Sequence, residues 1–155
     1  MANVSTIVQL QRQILDYTTY LYNEAYLDDQ FKNLQKLQDD LSNPNFVVET
    51  VSNFFINFER TVLNITTALH QQLIDWKKVE ILIFSLKGST SSIGAHRLHE
   101  ACIVLLEHYN QQNVQGCFDS VQKMQTEYFF VKNKLETLLK LHNELIAAGG
   151  SIPRQ

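Results

Sequence analysis

The chain has 155 residues, 45% of them hydrophobic and 19% charged, with 5 Gly, 2 Pro and 2 Cys. That length suits one domain and lets a compact fold bury about 70% of its unfolded surface, while so few turn residues argue against a β-sandwich or barrel. A net charge of −3 excludes a general basic footprint for nucleic acid, and no apolar run approaches the roughly 18 residues of a membrane span.

The periodicity predicts helices throughout. Ile7, Leu10, Ile14, Tyr17 and Leu21 recur at steps of three and four and place a first helix at about Val4 to Tyr26. Asp28-Asp29 offers a new start, and Phe31, Leu34, Leu37 and Leu41 continue the period. Ser42-Asn43-Pro44-Asn45 is the clearest punctuation, since Pro44 stops the second helix and Asn43 or Asn45 can cap the third. The third helix runs from Phe46 to about Leu73 with Val47, Val51, Phe54, Phe55, Phe58, Val62, Ile65 and Leu69 inside. Asp75 caps a fourth, expected to reach Asn110, and Asn113 caps a fifth, from Val114 to about Ile146. Ala147-Ala148-Gly149-Gly150 ends it.

Long helices with short connections pack antiparallel. The expected architecture is all-α: an antiparallel four-helix bundle with one or two additional N-terminal helices. The whole chain reads as one domain, with a bundle core at about 45–146, N-terminal helices at about 4–41 and a short tail at 147–155. Cys102 and Cys117 lack metal-ligand spacing and read as buried apolar side chains. With no basic and apolar leader at the N-terminus, a reducing compartment is expected, the cytoplasm and nucleus.

The informative segment is Phe84-Ser85-Leu86-Lys87-Gly88-Ser89-Thr90-Ser91-Ser92-Ile93-Gly94-Ala95. At about 100° per residue, Val79, Leu82, Leu86, Ile93 and Val104 gather on the core side of a continuous helix. Phe84, Gly88, Ser91 and Ala95 fall opposite, with Lys87 beside them. Each glycine inside a helix costs about 1 kcal/mol relative to Ala. An exposed Phe84 on a strip of small residues therefore points to a flat face onto which another protein docks, with Lys87 directed at an anionic group. For Gly94, close packing of a neighbouring helix is the competing explanation.

This segment, preceded by Lys77-Lys78-Val79, resembles the core of the plant histidine-containing phosphotransfer proteins. Leu27-Asp28-Asp29-Gln30-Phe31, Ser42-Asn43-Pro44-Asn45-Phe46, Gln111-Gln112-Asn113, Glu127-Tyr128, Val131-Lys132-Asn133 and Gly149-Gly150-Ser151-Ile152-Pro153 extend the resemblance along nearly the whole chain. Members of the family carry a phosphoryl group between receiver domains in multistep two-component (cytokinin) signalling. The family signature reads His-Gln-Leu-Lys-Gly-Ser, its histidine being the phosphoryl acceptor. This chain has Phe84 and Ser85 at the first two positions, and a phenyl ring has no lone pair to offer phosphorus. Ile81-Leu82 is a second departure, where the family commonly has a proline after the acidic residue.

The resemblance thus implies a variant that lacks the acceptor yet keeps a receiver-binding surface: Phe84, Ser85, Lys87, Gly88 and Ser91, with Leu27 and Phe31 adding an apolar patch. Leu27 is expected as a surface anchor, and Phe31 fits a core position equally well. The expected partners are receiver domains of hybrid histidine kinases or of response regulators. Neither nucleic acid nor membrane is expected to bind, and the chain should be a monomer. No cofactor is expected; any magnesium belongs to the partner's receiver. Among His70, His96, His99, His108 and His142 no substitute acceptor is expected, because His99 lies about four turns beyond Phe84, about 22 Å along a straight helix. An active protein with a non-standard acceptor and an adaptor for unrelated partners are the two alternatives.

Overall fold

The computed structural model describes residues 4–153. Among them are six helices: α1 (Val4–Asn23), α2 (Asp29–Asp40), α3 (Phe46–Leu69), α4 (Trp76–Ile93), α5 (His96–Asn110) and α6 (Val114–Ala147). Helices α3 to α6 close a ring in which each packs on its two neighbours; α1 lies along α6, and α2 crosses α3 and α4. Contacts between the helices show the antiparallel register. Glu80 meets Tyr109 and Lys87 meets His99 between α4 and α5, while His70 packs on Phe118 and Glu59 on Lys132 between α3 and α6.

Side-chain caps at the N-cap residue set three helix starts. The Asp28 carboxylate accepts from Gln30 N, Asp75 from Lys78 N and Asn113 from Gly116 N, each satisfying an amide with no partner inside its helix. At α3 the expected asparagine cap is absent: Asn45 stands at the N-cap without a side-chain cap bond and Asn43 accepts from Asn45 N, while the buried Gln38 accepts from Val47 N at 2.9 Å, tying the end of α2 to the start of α3. The core runs the length of the bundle. Phe58 stacks on Tyr128 with ring centroids 4.2 Å apart, and the Tyr128 hydroxyl reaches the Glu59 carboxylate, which also pairs with Lys132. These two hydrogen bonds hold the Glu59 carboxyl below its usual range. Cys102 and Cys117 are buried and free.

One expected element divides. The helix predicted from Asp75 to Asn110 ends at Ile93, because Gly94 adopts a left-handed conformation (φ 74°) and the chain reverses into α5. Ala95 N donates to Thr90 O and Gly94 N to Ser91 O, the paired bonds of a Schellman turn. The reversal is also a dock. Asp28 N donates to Gly94 O at 3.0 Å and His96 N to Tyr26 O at 3.2 Å. A Cβ on Gly94 would stand 2.5 Å from Phe31 N and 2.7 Å from Asp28 Oδ1. The third helix also stops short of the expected Leu73, which is 92% exposed.

Two stability measurements follow from this packing. Gly94→Ala should lower unfolding free energy by about 2 kcal/mol or more in urea titration, combining left-handed strain with the clash against α2. His142 is 1% exposed, neither ring nitrogen has a hydrogen-bond partner among the described residues, and burial depresses its pKa from 6.5 to about 4. The unfolded chain therefore takes up this proton first as pH falls. Stability attributable to neutral His142 is whole above pH 6.5, declines from there to pH 4, and the loss amounts to roughly 3 kcal/mol. His142→Leu should flatten that part of the stability–pH profile.

Candidate functional site

Helix α4 has one face the fold uses and one it does not. Val79, Ile83, Leu86, Thr90 and Ile93 are buried, and Leu82 packs against them half-buried. On the outer side Phe84 is 50% exposed and Ile81 60%, and Ser85, Gly88, Ser91 and Ser92 are exposed with them. Up to Ser92 the outer strip is therefore as the wheel predicts, with the addition of Ile81. Its position three residues before Phe84 was the available signal.

The hydroxyls of the Ser/Thr run are satisfied within the helix, by carbonyls of the preceding turn. Thr90 Oγ1 donates to Leu86 O at 2.9 Å, Ser89 Oγ to Leu86 O at 3.2 Å and Ser92 Oγ to Gly88 O at 2.8 Å. These residues leave a surface with little relief. A Cβ placed on Gly88 would meet nothing within 4 Å, so no contact inside the molecule requires a glycine there. Lys87 is half-buried with its ammonium over the Phe84 ring, 5.8 Å from the centroid. No carboxylate of the described residues forms an ion pair with it.

Four expectations at this end of the bundle are corrected. Ala95, placed on the outer strip by the continuous wheel, is fully buried, and Val104, placed in the core, is 45% exposed. Both errors follow from the break at Gly94, which resets the helical phase. Leu27 is 2% exposed and Phe31 is buried completely, so they form no apolar patch beside Phe84. Leu27 lies between Tyr26 and Asp28, whose main chains are tied to the reversal, and Phe31 lies directly under Gly94. Both hold α2 against the end of α4.

His99 is also repositioned. On a straight helix it would lie far beyond Phe84; after the reversal its Nδ1 is 3.3 Å from Lys87 O and 3.5 Å from Thr90 Oγ1. A carbonyl only accepts, so Nδ1 carries the proton in the first contact. The histidine is thus engaged at the α4–α5 seam rather than displayed on the outer strip. The other four are elsewhere. His96 faces Asp28 and Glu100, His70 is held by Thr66 O and Phe118, His108 lies against Gly116, and His142 is in the core.

Cys102 offers no alternative nucleophile: burial raises its pKa to about 11. A groove of about 380 Å³ between α5 and α6, lined by Arg97, Glu100, Val104, Lys123 and Glu127, has no free arginine. Arg97 is committed to Glu24 O, to the Glu127 carboxylate and to the Tyr26 ring. Among the described residues no cluster of His, Cys, Asp and Glu is arranged to hold a metal ion, and no helix is long and apolar enough to cross a membrane.

Comparison with known proteins places this helical arrangement. The Hpt domain family matches residues 49–148, which spans α4 and the other three bundle helices. The chain is 46% identical over 147 residues to histidine-containing phosphotransfer protein 1 of Arabidopsis thaliana, covering 95% of each. It is 41% identical over 132 residues to pseudo histidine-containing phosphotransfer protein 2 of Oryza sativa subsp. japonica, covering 85% of this chain and 87% of that one. The crystal structure of a histidine-containing phosphotransfer protein from Medicago truncatula superposes with a TM-score of 0.82 at 38% identity, over 92% of this chain and 96% of that one. With fold, length and sequence in agreement, the chain belongs to the histidine-containing phosphotransfer family of plant two-component phosphorelays.

Proposed function

We propose that this chain is a pseudo-phosphotransfer protein that binds receiver domains of the cytokinin phosphorelay without accepting a phosphoryl group and competes with the working members of its family. The observation that carries the reading is Phe84 itself. It stands half-exposed in the middle of the outer strip of α4, at the position where the family signature has its acceptor histidine. Phosphoryl transfer needs an in-line nucleophile, and the phenyl ring provides none. Ser85 beside it is a hydroxyl with no hydrogen-bonded base among the contacts of α4, so it is not activated.

The rest of the strip suits docking. Phe84, Ser85, Lys87, Gly88 and Ser91 are the residues proposed to face the receiver, and Leu27 and Phe31 set the position of α2 behind them. Among the described residues no carboxylate pairs with Lys87, so its charge is available to an acidic pocket, where complementarity acts chiefly on encounter rate and orientation. Gly88 is unfavourable in a helix by about 1 kcal/mol and open on its outer side, which fits a surface shaped for a partner. The receivers of hybrid histidine kinases and of response regulators are the proposed partners.

A competition relay tests this. A radiolabelled phospho-receiver and a working phosphotransfer protein are mixed with increasing amounts of this chain. The expected result is slower labelling of the working protein with no label on this chain; acid-labile, base-stable label on it would overturn the reading. The double variant Phe84→His, Ser85→Gln should gain label, and a folded double variant that stays unlabelled would count against the assignment. Gly88→Ala separates fold from function: it should raise unfolding free energy by about 0.5–1 kcal/mol while raising the concentration for half-inhibition at least three-fold.

A further inference from the structure

Resting on the reading that receivers dock over α4, we propose that Phe84 makes binding depend on the receiver's own phosphorylation state, so that this chain holds the unphosphorylated receiver and yields when the receiver becomes charged. The argument starts from what the centre of the strip offers a partner. Phe84 projects 50% exposed, Gly88 contributes bare main chain already bonded within the helix, and Ile81 adds a second apolar side chain, 60% exposed. Lys87 is the cation beside them, its ammonium over the Phe84 ring. The next along the outer face, Lys77, is paired with Glu80 at 2.9 Å.

A docked partner removes water from this patch. An unphosphorylated receiver presents a concave pocket with an aspartate carboxylate. A phenyl ring is a fair occupant of such a space: its rim is the positive part of the quadrupole and is compatible with carboxylate oxygens, while one face remains with the Lys87 ammonium. Phosphorylation converts that carboxylate into an acyl phosphate, adding a tetrahedral group with three further oxygens and about one net negative charge. Phe84 then meets the added group with carbon alone. Lys87 can satisfy one oxygen, and it already attracts the anionic pocket in the uncharged state, so its share of the difference is small. Whichever oxygens the receiver and its magnesium leave facing Phe84 lose water without gaining a donor from this ring, which is costly in a desolvated contact.

An imidazole at the same position would reverse part of this, since it supplies a ring nitrogen where the phenyl supplies C–H. The dependence on phosphorylation state therefore belongs to residue 84, not to the outline of the surface. The consequence is a competitor tied to signal: it occupies idle receivers and is displaced as phosphoryl groups arrive.

The test is a titration of the full chain against a plant hybrid-kinase receiver domain in magnesium, with and without beryllofluoride as the acyl-phosphate mimic. A working phosphotransfer protein serves as a positive control for receiver binding. Binding to the beryllofluoride form should be at least ten-fold weaker, equivalent to about 1.4 kcal/mol, and Phe84→His, which alters an exposed position, should bring the two affinities within three-fold. Equal or tighter binding of the beryllofluoride form overturns the proposal and leaves the docking reading standing. So does a ten-fold difference that persists in Phe84→His. No binding of this chain to either form, with the control binding, overturns the docking reading and this proposal together.

Discussion

The left-handed residue at Gly94 is the point on which the α2–α4–α5 end of the molecule depends. It converts one long amphipathic stretch into the α4–α5 hairpin, and its carbonyl receives the main chain of Asp28. Because the position has room for hydrogen alone, with Phe31 and Asp28 pressed against it, the α1–α2 connection sits directly on the turn. The same contact buries Leu27 and Phe31 and leaves the outer face of α4 uncovered. A different residue at 94 would disturb the bundle, the dock and the exposed strip at once.

Helix α4 shows how unequal the two faces of one element can be. Its inner face follows ordinary burial, with Val79, Ile83, Leu86 and Ile93 in the core. Its outer face carries an open glycine, an exposed phenylalanine and a lysine whose nearest aromatic partner is that phenylalanine. None of these improves the isolated fold: glycine weakens a helix, and a half-exposed phenyl forgoes much of its burial energy. The stability comes instead from the Phe58–Tyr128 stack, the side-chain caps and the long α6 helix, all away from the strip. Residues on the outer strip itself can therefore change with little effect on this scaffold.

Much of this was legible in the residues. Helical periodicity is a local property, and Asp28, Asp75 and Asn113 cap their helices where the sequence places them. The outer positions Phe84, Gly88 and Ser91 needed only the wheel of a single helix, because they lie on one uninterrupted stretch. Errors began where that stretch was carried past Gly94. Ala95, Val104 and His99 were each placed by a phase that the turn cancels, and each lies where the reversed helix puts it. Leu27 is buried for a related reason: at a helix boundary the period is silent, and the fate of the side chain rests on main-chain hydrogen bonds to a residue far along the sequence.

The sequence by itself determined the helical class, the capped starts and the chemistry absent from position 84, since these depend on residue type and local spacing. Tertiary structure decided that Gly94 reverses the chain instead of softening a continuous helix. A glycine tolerates both conformations at similar cost, and the choice is made by the hydrogen bonds and the close fit that α2 supplies from outside the segment.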